Sequence, residues 1–230
     1  MNNGRAYNCS PIPFYLNCII VLPMSKIAVD IVLLPEEAMM DCAIAANARL
    51  ASAKRDDAGL VKKSGDEIIL NKKNCLPHIS LAMGCINRED LDDIGEILLS
   101  LVKLTPKMLN VVGIQKTINS TGEIVSVIQI ERSSRLQELH EKICDTVGRY
   151  LAFDVTEEMI AGGRAGPSTL EWIKSYPAKS SCSNFSPHIT VGYGDLPDFP
   201  LLSDFAVSRL ALCHLGNHCT CRYILWSAKI

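Results

Sequence analysis

Basic charge is not in surplus in this chain: 23 Lys and Arg stand against 25 Asp and Glu, a formal net charge of −2. That balance excludes a general electrostatic footprint for long nucleic acid. Any RNA would have to be met by a local patch, so small nucleotides or RNA ends fit better than long duplexes. Long apolar runs are missing as well. The stretch from Ile12 to Leu22 is broken by Pro13, closed by Pro23 and too short to cross a bilayer. As a signal peptide it would carry only Arg5 as its charge, with no clean small-x-small cleavage site behind it. The glycine-rich stretch Ala161-Gly162-Gly163-Arg164-Ala165-Gly166-Pro167 lacks the lysine and the spacing of a phosphate loop. No zinc-finger spacing occurs either. Cys213, His214, His218, Cys219 and Cys221 crowd soft ligands together, but strand alternation sends neighbours to opposite faces. Cysteine itself is plentiful, with 10 in 230 residues. The chain is far longer than a disulfide scaffold, so these are expected as reduced, small hydrophobes in a cytoplasmic setting.

What is present is a repeat. Pro77-His78-Ile79-Ser80-Leu81-Ala82-Met83-Gly84 returns as Pro187-His188-Ile189-Thr190-Val191-Gly192-Tyr193-Gly194, with the two histidines 110 residues apart (78 to 188). A segment duplicated at about half the chain length points to two similar lobes facing each other. Each copy reads as a strand opened by proline, which is tolerated where no ladder donor is needed. Alternation gives Ile79, Leu81 and Met83 one face and His78, Ser80, Ala82 and Gly84 the other. In the second copy Ile189, Val191 and Tyr193 oppose His188, Thr190, Gly192 and Gly194. The histidine face therefore continues with a hydroxyl and then with small residues, which leaves room for a ligand.

Two imidazoles can act as general base and general acid in one reaction. A hydroxyl two residues on lies about 6.5–7 Å along the same face, within reach of an oxygen of the same phosphate. His218-Cys219-Thr220 also fits His-x-Thr but lacks the surrounding repeat, so it is set aside. A lone histidine on a strand is more often structural than catalytic, and it is the paired context that carries the signal.

Two His-x-Ser/Thr strands, one per half of a chain of this size, resemble the 2H phosphoesterase superfamily. Asn184-Phe185-Ser186-Pro187-His188-Ile189-Thr190 looks especially like the second motif of its 2′-5′ RNA ligase-like branch. The resemblance implies an α+β, bilobal fold: two antiparallel sheets related by pseudo-twofold symmetry, helices outside, and a metal-independent site between the lobes. It implies His78 and His188 as acid and base, with Ser80 and Thr190 as phosphate-binding hydroxyls. The implied activity is a phosphodiesterase for 2′,3′-cyclic phosphates or for 2′-5′ linked nucleotides and RNA ends. A 3′-5′ RNA exonuclease of the same superfamily, or a nucleotide- or RNA-binding module with little turnover, is the alternative. Many RNA ligase-like members carry an arginine shortly after a motif. Here Ala82-Met83-Gly84 and Gly192-Tyr193-Gly194 stand instead, and which histidine is the acid stays open. The expected partner is a nucleotide or RNA end, and the expected state is a monomer without cofactor, metal or membrane.

Along the chain, residues 1–23 read as an extension outside the core and 24–230 as one bilobal domain. Ile27 to Leu34 reads as a strand, and a helix begins at Pro35-Glu36-Glu37 and runs to about Ser52. A polar loop from Lys54 to Asp66 and a short strand Glu67 to Leu70 lead into the first motif. Lys62, Lys63, Lys72 and Lys73 approach that motif in sequence, and Lys73 is kept as a substrate-binding candidate beside Tyr176. Asn87 caps a helix to Leu104, and Met108 to Ile118 with Glu123 to Glu131 form a hairpin. Ser133 or Ser134 caps a helix to about Leu151, on which His140 is expected to face solvent among Glu138, Glu141 and Lys142. A short helix over Ser168 to Ile173 carries Trp172 towards the cleft, for stacking or core packing, and 161–185 is the candidate lid. Phe205 to Leu215 and His218 to Ile230 close the fold as a hairpin.

Overall fold

The computed structural model describes residues 26–57, 67–119 and 122–230. The 1–23 extension, Lys62, Lys63 and most of the 54–66 loop lie outside the described residues. β1 (Lys26–Pro35) is the central strand, pairing antiparallel with β2 (Ile79–Asn87) on one side and β6 (Asp204–Leu215) on the other. Its Ile, Val and Leu residues are buried on both faces, which is what a nearly unbroken apolar run requires. β7 (Cys221–Lys229) extends β6 and completes a four-stranded group. β3 (Met108–Ile118), β4 (Ile124–Ile130) and β5 (His188–Tyr193) form the second group.

The two groups touch at narrow seams. β2 meets β5 at the single pair Ile79↔Ile189, and β3 meets β6 over Met108↔Ala206, Leu109↔Phe205 and Asn110↔Asp204. The strand order β1-β2-β5-β4-β3-β6 thus returns to β1, with β7 outside the circuit. Ile79 and Ile189 hold the same place in the two octapeptides, so the pseudo-twofold axis passes between them. This is the bilobal α+β arrangement that the repeat predicts.

Helices α1 (Glu37–Asp57) and α3 (Ser134–Val147) cover the outer faces, α1 beneath β5 and α3 beneath β2, and α2 (Leu91–Leu101) packs beside α3. Met39, Ala43, Ala46 and Leu50 from α1 join Leu136, Leu139, Ile143 and Val147 from α3 in one core with the outward residues of β1. Ser133 caps α3 as expected, accepting from the Leu136 amide. Asn87 does not cap through its side chain and instead donates to Asp90 Oδ2. The expected short helix at 168–173 is longer: α4 runs Pro167–Ser180, with Pro177 inside it. The expected strand at Glu67 to Leu70 does not form, and that segment is held by a side chain described below.

Two further expectations fail. Cys213 on β6 and Cys221 at the start of β7 form a disulfide, so they are not reduced hydrophobes; the fold of the β6–β7 hairpin brings their Cα atoms to 5.6 Å, a bridging distance that spacing along the chain does not reveal. His140 is fully buried because its position on α3 faces β2, not water.

Candidate active site

Both motif histidines are oriented in the same way. Nδ1–H of His78 donates to the Leu76 carbonyl at 2.7 Å, and Nδ1–H of His188 donates to the Ser186 carbonyl at 2.8 Å. A carbonyl can only accept, so the Nδ1–H tautomer is fixed in each ring. Nε2 is the nitrogen left outside this tether in each ring, and both rings line the same cavity of about 360 Å³, together with Ser80 and Thr190. The antiparallel pair Ile79↔Ile189 sets the four groups out: extending its register places His78 opposite Thr190 and Ser80 opposite His188. Burial lowers the pKa of both imidazoles, and the charge of His188 lowers that of His78 further. Both rings are therefore neutral bases near neutral pH when no anion is bound.

After the hydroxyl, each motif departs from simple alternation. β2 pairs Val32 with Ser80 but Ile31 with Ala82, leaving Leu81 as an extra residue; β4 pairs Val127 with Thr190 but Ser126 with Gly192, leaving Val191 as its counterpart. These equivalent β-bulges reverse the side-chain faces beyond them. Met83 and Tyr193 line the cavity in place of the small residues that strict alternation predicted. Ala82 packs in the outer core, and a Cβ on Gly192 would meet Asn47 Nδ2 at 3.2 Å on the α1 side.

A bulge frees a carbonyl that then needs a partner. Leu81 O accepts from His140 Nδ1–H at 2.6 Å, and His140 Nε2 accepts from the Cys182 amide at 2.8 Å. Val191 O accepts from Asn47 Nδ2 at 2.8 Å; the same amide group donates to Ile68 O, and Asn47 Oδ1 accepts from the Leu70 amide. Each outer helix thus ties the bulge of one motif to the segment leading into the other. Phe185 stacks on His140 with centroids 4.0 Å apart.

Asp30, on β1, is singled out by no sequence motif, although it is the one acid in the Ile27 to Leu34 run. It is wholly buried. Ser80 Oγ donates to its Oδ2 at 2.6 Å, His78 Nε2 lies 3.7 Å from the same oxygen, and Oδ1 has no partner among the described residues. Burial pushes its carboxyl well above the carboxylate range, with the Ser80 bond opposing.

Of the other predicted residues, Trp172 and Tyr176 both line the cavity, Tyr176 while only 4 % exposed. Lys73 does not line it: it sits on the exposed turn beyond Asn71, whose Oδ1 accepts from its amide. Lys72 is paired with Glu37 and Asp41. Lys179 is the one lysine or arginine among the described residues lining the cavity. The 161–185 segment is built into the wall, Ile173 and Tyr176 packing with Ala28, Met83 and Leu215. His218, set aside on sequence grounds, also reaches the cavity with Cys219 and Thr220. Its Nδ1 lies 2.8 Å from the Tyr193 hydroxyl, and both His218 and Cys219 adopt positive φ (59° and 53°). His214 Nε2 donates to Met159 O and Cys213 is bonded to Cys221, so the soft ligands of this region do not converge.

No family model and no curated protein matches the sequence. Solved structures do. E. coli LigT is similar at 10 % identity, covering 89 % of this chain and 98 % of its own, with a TM-score of 0.46. A protein of Thermus thermophilus is similar at 16 % identity, with 88 % and 97 % covered and a TM-score of 0.48, and a phosphoesterase at 12 %, with 88 % and 98 % covered and 0.45. LigT has also been solved with phosphate and with 3′-AMP. The chemistry of this cleft rests on its own side chains.

Proposed function

We propose that this chain is a 2H-type phosphodiesterase that opens 2′,3′-cyclic phosphates or cleaves 2′-5′ linked nucleotides at RNA ends. The observation that carries this reading is the pair of identically tethered histidines that line one cavity with Ser80 and Thr190. One imidazole activates water and the other protonates the leaving ribose oxygen, and the hydroxyls hold phosphate oxygens. Positioning and proton transfer supply the catalysis, so the residues themselves call for no metal. A cavity of about 360 Å³, with Lys179 its one cation among the described residues, suits a mononucleotide or one RNA end. Trp172 offers a face for a base.

The test incubates purified protein, with EDTA present, with the four 2′,3′-cyclic nucleotides and a short RNA ending in a cyclic phosphate. His78→Ala and His188→Ala run alongside, and chromatography resolves the product isomers. Turnover in EDTA, cut by about 10²-fold or more by either substitution, is expected. No turnover, or turnover indifferent to both substitutions, overturns the proposal.

A further inference from the structure

The pseudo-twofold axis makes the two histidines equivalent, and one residue breaks that equivalence. Met83 pairs with Asp30 on β1, and its counterpart Tyr193 pairs with Val125 on β4. Ser80 pairs with Val32 and Thr190 with Val127 by the same correspondence. Where the first lobe holds a buried carboxyl, the second holds valine. Ser80 is bonded to that carboxyl, whereas no hydrogen bond occupies the Thr190 hydroxyl among the described residues. Oδ1 of Asp30 is buried without a partner among the described residues, beside a histidine whose Nε2 is 3.7 Å from Oδ2. A structural carboxyl at such depth would have its oxygens satisfied. Among the described residues this one is bonded only to a hydroxyl of the proposed site.

We propose that Asp30 is a positioning residue that holds an exchangeable proton on the His78 side of the cleft, making His78 the general acid and His188 the general base. This rests on the phosphodiesterase reading above and assigns each histidine its part. Beyond the Nδ1–H, the Asp30–His78 pair carries one proton in either of two neutral-sum arrangements: carboxylic acid with imidazole, or carboxylate with imidazolium. Among the described residues no carboxyl pairs with His188, so its Nε2 is open to take a proton. The site therefore begins with one proton on one side and one vacant base on the other, which is what a displacement at phosphorus needs.

The step balances. Water's oxygen attacks phosphorus while His188 Nε2 takes one of its protons; the P–O bond to the ribose oxygen breaks, and that oxygen takes the Nε2 proton of His78. His78 draws that proton from Asp30 when the anionic phosphate arrives, since the transfer moves positive charge towards the phosphate. The approach needed is less than about an ångström from the observed 3.7 Å. The products are the monoester, carboxylate at Asp30 and imidazolium at His188, and exchange with solvent resets the pair.

The groups that face Asp30 from its neighbours are His78 and Ser80 on β2, Tyr176 on α4 and Cys219 in the 217–219 turn. Cys213, opposite it on β6, is bonded to Cys221. Burial raises both the Tyr176 phenol and the Cys219 thiol, so neither brings a negative charge near neutral pH.

The test compares wild type with Asp30→Asn on whichever 2′,3′-cyclic nucleotide the wild type turns over. Asparagine keeps an acceptor for Ser80 but holds no transferable proton. The alkaline limb of kcat/KM should move to lower pH, with a loss of tenfold or more on that limb, and the acid limb set by His188 should stay in place. Ser80→Ala removes the bond that favours the carboxylate, so it should move the alkaline limb the other way, and it reads the effect if Asp30→Asn folds poorly. An NMR titration of the imidazoles gives a readout without turnover: the His78 ring should report two titrations in wild type and one in Asp30→Asn, with His188 unchanged. An unmoved alkaline limb, a shift of the acid limb instead, or the same single titration of His78 in both proteins overturns the assignment. If the wild type turns over no cyclic nucleotide, the phosphodiesterase reading falls, while the titration still decides whether Asp30 holds the proton.

Discussion

Replacing His140 by phenylalanine keeps a ring of similar shape against Phe185 and removes two hydrogen bonds at once. The Leu81 carbonyl is fully buried and would lose its imidazole partner, which costs about 1–3 kcal/mol for a stranded acceptor. The Cys182 amide belongs to an exposed residue and can turn to water, so its loss lies at the low end of the same range. Together the two come to about 3 kcal/mol, or roughly 6–12 °C in Tm for a chain of this length. The sign of the pH dependence follows from burial, which lowers the pKa of His140 in the fold. A histidine that binds its proton more readily when unfolded withdraws stability as pH falls through its unfolded value of about 6.5. The His140 contribution is therefore complete above that pH and fades below it, so the gap between wild type and His140→Phe should narrow from pH 7.5 to pH 5.5. Thermal unfolding followed by circular dichroism at the two pH values measures both quantities. A loss under 1 kcal/mol at pH 7.5 would mean that the Leu81 carbonyl finds another partner. A gap that widens on acidification would mean that the ring is charged in the fold. Either result refutes the clip as described.

Two other outcomes follow from the same geometry. Gly192→Ala places a Cβ 3.2 Å from Asn47 Nδ2 and 3.3 Å from Leu50, at a φ of +156° that L side chains rarely adopt. It should lower stability by about 1–3 kcal/mol, read by denaturant unfolding, and should also loosen the second motif. Lys179→Ala should raise KM for a cyclic nucleotide several-fold with kcat little changed, and should make that KM less sensitive to salt, because an exposed cation at the rim attracts the phosphate without touching the reacting atoms.

The candidate quartet was legible in the sequence because a repeated octapeptide fixes residue type and spacing together. His78, Ser80, His188 and Thr190 meet at one cavity as the repeat implies. Local chemistry also announced the closing hairpin, the proline that opens each motif and the Ser133 cap of α3. The faces beyond each hydroxyl were not legible, since a bulge is set by how two strands pair and one extra residue reverses every side chain after it. His140 looked solvent-facing because its neighbours in sequence are charged; which helix face meets β2 is decided only when α3 docks. Asp30 looked like one polar residue in an apolar strand until β1 was laid beside β2. The sequence by itself determined which groups are paired by the repeat and that two copies would face each other. The tertiary structure alone decided which of the two histidines has a buried carboxyl beside it, because the approximate symmetry of the motifs is broken on β1 and β4, strands that the motifs do not contain.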